Sequence, residues 1–151
     1  MNKVSGSEHV YKICVAAEWQ AGADPEKFFD NLFEADWSRV RIVQAPGDEP
    51  RYGNQDTDGS RSLRHHIQPA REMGAAVRRM LEEAAAKQWG VGIEEVVANN
   101  HEVMHRSLGI TLGYGDLATA AMALPTPARD VLRFKDEKAF RYLGKGAVQI
   151  Y

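Results

Sequence analysis

The chain has 151 residues, 44% of them hydrophobic and 26% charged, which is an ordinary composition for a single globular domain. A net charge of −2 gives no electrostatic case for nucleic acid, although the stretch from Arg61 to Arg79 is locally basic. The lone cysteine, Cys14, excludes an internal disulfide and any multi-cysteine metal or iron–sulfur site. No apolar run approaches membrane-spanning length, and residues 1–9 lack the apolar stretch of a signal peptide, so the expected location is the cytoplasm.

In chain order, residues 10–15 alternate as a strand does, and a short helical turn follows around residues 16–19. Asp24 and Pro25 form a helix start, since Asp caps free N–H groups and Pro is tolerated in the first turn. Phe28, Phe29, Leu32 and Phe33 then share one helical face, up to about Ala35. Val40 and Ile42 mark a second strand, and residues 45–51, with two prolines, read as loop.

Tyr52 to Arg64 is the most informative stretch. It is a turn-rich, hydroxyl-rich and basic loop that runs into a long amphipathic helix. Backbone N–H groups at a helix entrance are free to hold an anion. Gly59 lets the backbone approach closely, Ser60 and Ser62 offer hydroxyls, and Arg61 and Arg64 can pair with phosphate. Most loops of this composition are only turns. The adjacent His65 and His66 at the helix approach are more commonly solvated loop residues than ligands.

Residues 73–88 form the strongest helical pattern. Met73, Val77, Met80, Leu81, Ala84 and Ala85 make an apolar stripe. Arg78–Glu82, Arg79–Glu83 and Glu83–Lys87 are opposite charges one turn apart on the other side. Gly90 and Gly92 end the helix, and Trp89 belongs to the core. Beyond it, residues 95–98 and 102–105 pair as a hairpin across Asn99-Asn100, and residues 110–112 supply a further short strand. Residues 116–123 form a small alanine-rich helix, broken by Pro125 and Pro127. The tail from Asp130 is extended apart from a turn near residues 136–140. The fold class is α+β, with short strands and one dominant helix.

His101-Glu102-Val103-Met104-His105 matches the zinc-hydrolase pattern H-E-x-x-H, which needs both histidines on one helical face. Asn99-Asn100 favours a turn immediately before it. In a strand, residues four apart lie about 13 Å apart, too far for one metal ion. Nothing nominates a third ligand, so the match reads as coincidence.

From about residue 34 to residue 145 the chain resembles the molybdopterin-binding large subunit of molybdenum hydroxylases. The branch is that of isoquinoline 1-oxidoreductase and related aldehyde dehydrogenases in the xanthine dehydrogenase superfamily. The resemblance is carried by residues 35–47, Tyr52 to Ser62, residues 73–91, Asn100 to His105, Leu112-Gly113-Tyr114-Gly115-Asp116-Leu117 and Phe140-Arg141-Tyr142-Leu143-Gly144-Lys145. It implies a partial molybdopterin-binding domain at residues 34–145, between an unmatched strand-plus-helix segment at 1–33 and a tail at 146–151. A loop matching Asp58-Gly59-Ser60-Arg61-Ser62 lies against molybdopterin cytosine dinucleotide in that family. The implied activity is hydroxylation of an aldehyde or N-heterocycle with oxygen from water. The implied partners are an iron–sulfur small subunit or the remaining large-subunit segments, with no nucleic acid and no membrane span; related full-length proteins can be periplasmic. The family's Met-Gly-Gln-Gly cofactor motif and its catalytic glutamate in a Gly-rich loop have no match here, so the chain alone is expected neither to retain the cofactor nor to turn over. The alternatives are a non-catalytic small binding or scaffold domain and, trailing it, the zinc hydrolase.

Overall fold

The computed structural model describes residues 34–36, 39, 47–53, 59 and 61–139, with the backbone alone described at Tyr52, 61–67 and Glu137. The strand, turn and helix expected within residues 10–33, the strand around Val40 and Ile42, and Phe140 to Lys145 lie outside these residues. The expected loop at 45–51 instead contains a single helical turn, α1, at Glu49–Tyr52, with Pro50 at its start, where a missing N–H costs nothing.

Helix α2 spans Arg61–Trp89 and dominates the described structure. It begins well before the apolar stripe. Pro69 sits inside it, where the ring removes the bond that would otherwise reach the carbonyl of residue 65. Of the stripe, Leu81, Ala84 and Ala85 are buried and Val77 and Met80 pack partly buried against the core, whereas Met73 is exposed; Ala70, Ala75 and Ala86, outside the stripe, are buried as well. At the other end Gly90 takes φ 69°, a left-handed conformation that glycine adopts without Cβ strain. The Gly90 N–H donates to the Lys87 carbonyl and the Val91 N–H to the Ala86 carbonyl at 3.0 Å, closing a Schellman cap.

A 3₁₀ turn at Ile93–Glu95 leads into strand β1, Val96–Asn99. Strands β2, Glu102–His105, and β3, Thr111–Gly113, complete an antiparallel sheet in the order β1-β2-β3. The hairpin forms as expected, but its turn lies one residue later. Asn99 pairs with Glu102, leaving Asn100 and His101 as the loop. Both have positive φ, 48° and 74°, as a two-residue turn matched to the strand twist requires. Val96, Ala98, Val103 and His105 alternate onto the buried face.

Helix α3, Tyr114–Met122, follows β3 directly. Asp116 accepts the Gly113 N–H at 3.2 Å and places a carboxylate in the first turn, where the helix dipole favours it. Tyr114, Leu117, Ala118 and Ala121 are its buried residues. Tyr114, Leu117 and Ala121 join Leu81, Ala84, Ala85, Val96, Ala98 and Val103 in one cluster, with Trp89 packed against it. Small alanines on both helices let α2 and α3 approach closely.

Beyond α3 a mostly extended segment lies against α2, with 3₁₀ turns at Arg129–Val131 and Glu137–Ala139. Arg129 pairs with Glu72, Arg71 lies 5.4 Å over the Phe134 ring, and Arg78 donates to the Arg133 carbonyl. Only one of the three expected charge pairs takes the predicted form, Lys87–Glu83 at 3.2 Å. Arg78 turns to the extended segment, and Glu82 turns to the sheet, where it accepts the Ala98 N–H at 3.0 Å. Along the described residues no helix is long and apolar enough to cross a membrane.

Candidate functional site

The helix entrance lies earlier than the sequence suggested: Tyr52 closes α1, and α2 already starts at Arg61, inside the stretch expected as loop. Helix α1 ends at Gly53, whose N–H returns to the Glu49 carbonyl at 2.8 Å. Gly59 lies in an exposed turn with φ 44°, and α2 opens two residues later. Arg61 and Ser62 are the first two residues of that helix. Asp58 and Ser60 lie outside the described residues. The first four N–H groups of a helix lack intrahelical acceptors and carry its positive dipole end. No acidic residue sits in the first turn to neutralise them. His65 and His66 are part of the helical backbone rather than of a loop before it.

The H-E-x-x-H match dissolves in the hairpin. His101 occupies the turn and His105 the far end of β2, and each ring has its own aromatic neighbour. His105 is 4% exposed, packs 5.8 Å from Trp89, and its Nδ1 accepts the Ser107 N–H at 3.3 Å. His101 lies 4.9 Å from the Tyr114 ring. With one in the turn and the other at the far end of a four-residue strand, the two lie several residues apart along extended chain, at roughly 3.3 Å per residue. Among the described residues no three His, Cys, Asp or Glu side chains gather as a metal site.

A polar cluster that the sequence did not announce surrounds His101. Its N–H donates to the Glu34 carbonyl at 2.7 Å, and its carbonyl accepts the Tyr114 N–H at 3.0 Å. Glu34, at φ 54°, turns its carboxylate to the Lys135 ammonium at 2.9 Å, with both side chains largely buried. The Nδ1 atom of His101 is buried and has no hydrogen-bond partner among the described residues. Burial holds the His101 imidazole below its ordinary pKa, and the Arg39 guanidinium adds to this, while Asp36 and Glu102 pull the other way. The cluster gathers residues from positions 34, 101, 114 and 135. No local motif could have revealed it, because its members meet only through tertiary packing.

No family model matches the chain. Over 116 residues it is 31% identical to isoquinoline 1-oxidoreductase subunit beta of Brevundimonas diminuta, a match that takes in 72% of this chain. The chain spans about 15% of the length of that relative. The two are distant homologues, and that relative is by name one subunit of an oxidoreductase.

Proposed function

We propose that this chain is a partial large-subunit domain of a molybdenum hydroxylase, an aldehyde or N-heterocycle oxidoreductase, contributing cofactor-binding surface rather than a complete active site. The observation that carries the reading is the helix entrance at Gly59, combined with the similarity to the oxidoreductase subunit. The left-handed, exposed glycine and the carboxylate-free first turn of α2 suit a phosphate-bearing ligand. In this reading Asp58, Gly59, Ser60, Arg61 and Ser62 hold the diphosphate tail of molybdopterin cytosine dinucleotide. When bound, that cofactor supplies the redox centre at which oxygen from water is transferred to a substrate carbon. The chain's own part is to neutralise and orient the anionic tail through backbone N–H groups, hydroxyls and guanidinium groups. The base for the chemistry, and an iron–sulfur subunit for the electrons, come from other segments or chains.

Cytidine diphosphate, the tail without the pterin, tests this directly. Titration should shift the amide resonances of residues 59–64, and Gly59→Ile should weaken binding by roughly tenfold or more, because a β-branched residue resists positive φ. Absence of any shift, or equal affinity in the variant, would overturn the placement of the loop.

One observation favours a second reading, a non-catalytic scaffold domain: the described helices and sheet close a core of their own. A chain that binds no cytidine diphosphate, and copurifies with neither molybdenum nor pterin when the relative's remaining segments are supplied, would support it.

A further inference from the structure

The His101 cluster has no part in holding a pterin tail, and its construction is unusual for a hairpin turn. A two-residue turn is ordinarily closed by its own strands. This one is tied to two other parts of the chain, through the His101 N–H to Glu34 and through the His101 carbonyl to Tyr114. Glu34 in turn grips Lys135 through an ion pair whose side chains are 12% and 9% exposed. One histidine therefore joins residues 34–36, the hairpin and the start of α3, and Glu34 extends the link to Lys135. In the neutral ring a partnerless Nδ1 is a tolerable defect. In the imidazolium it becomes a buried cationic N–H with no acceptor among the described residues, which is far more costly.

We propose that His101 is an acid-operated latch, whose neutral imidazole keeps residues 34–36 and the start of α3 docked on the hairpin turn and whose protonation releases them. The groups facing the ring are Arg39 and Asp36 from the N-terminal side, Glu102 from β2 and Tyr114 from α3, while Glu34, paired with Lys135, meets His101 through its backbone carbonyl. Asp36 and Glu102 favour the charged ring, and the charge of Glu34 is already matched by Lys135. Burial and Arg39 oppose the charge and prevail, so the folded group titrates below its ordinary value of 6.5. Between the two values the open form binds a proton that the latched form does not. Latch stability is therefore complete above the ordinary value and drains away as pH falls through it toward the folded one.

The two hydrogen bonds report the latch directly. Exchange protection of the His101 and Tyr114 amides, corrected for intrinsic rates, should fall roughly threefold or more between about pH 7.5 and about pH 5.5, while the Val103 and Leu117 amides hold. His101→Asn accepts the left-handed backbone but cannot titrate in this range, so its protection should lose the pH step. Arg39→Gln removes an opposing charge from an exposed position and should move the imidazole titration, followed by NMR, to higher pH. Protection independent of pH, an unchanged step in His101→Asn, or an unmoved titration in Arg39→Gln would each overturn the latch. Should the Asn variant fail to fold, the Arg39→Gln titration decides alone. Neither outcome touches the cytidine diphosphate result.

Discussion

Leu117→Ala tests the arrangement on which the rest of the fold depends, the docking of α3 against α2. Leu117 is fully buried, among Leu81, Ala84, Ala85, Val96, Val103 and Tyr114. Truncation removes three carbons, worth roughly 2.4 kcal/mol in transfer free energy at about 0.8 kcal/mol each. A cavity term adds to this, by an amount that depends on how far the neighbours can move in. Here many of them cannot, because the methyls of Ala84, Ala85, Ala86 and Ala121 are fixed to helical backbone with no side chain to swing. The expected loss is therefore in the upper part of the usual range, about 3–5 kcal/mol. Met122, on the same helix but 79% exposed, is the control, and Met122→Ala should stay within about 0.5 kcal/mol. Urea titration followed by circular dichroism should show a lowered midpoint with unchanged slope for the first variant, or a chain already unfolded without urea. A loss below about 1 kcal/mol, or one equal to that of the control, would mean that α3 does not dock on α2 in solution.

Glu82→Ala should cost about 1–3 kcal/mol, because the Ala98 N–H on the outer edge of β1 loses its acceptor. It should also promote concentration-dependent association through the opened edge, measurable by light scattering, whereas Glu82→Gln, which keeps an acceptor oxygen, should remain monodisperse. Equal behaviour of the two variants would remove Glu82 as the edge guard. Gly90→Ala meets open space but retains a left-handed backbone, so its cost is purely conformational, about 1 kcal/mol by thermal melting. An unchanged melting temperature would contradict the cap.

Periodicity carried most of the fold that is described. The stripe from Met73 to Ala85 is written at helical spacing, and Val96, Ala98 and Val103 alternate as half-buried strands do, so these elements could be read without coordinates. The misreadings have separate physical causes. The first three turns of α2 are polar, contain Pro69 and carry no stripe, so nothing local distinguishes them from loop. The hairpin turn slipped by one residue because Asn99-Asn100 looks like the better turn pair. Yet Asn100-His101 takes the positive φ values, and His101 is held there by Glu34 and Tyr114, partners that sequence spacing does not reveal. At the helix entrance the residue types were legible, and so was the positive end of a helix. The ligand was not, since an exposed glycine before a carboxylate-free first turn suits many anions.

The core and the candidate site occupy different stretches of the chain, and that separation makes the functional question answerable. Every member of the main cluster lies between Leu81 and Ala121, whereas Gly59 is exposed and precedes all of them. Contacts of such short sequence separation form locally, so this core needs nothing from the loop to assemble. A substitution at Gly59 should therefore leave the Leu117-dependent melting transition in place while altering anion binding. Were Gly59→Ile to unfold the domain, the loop would have to be part of the core, and a loss of binding could no longer be assigned to the anion site.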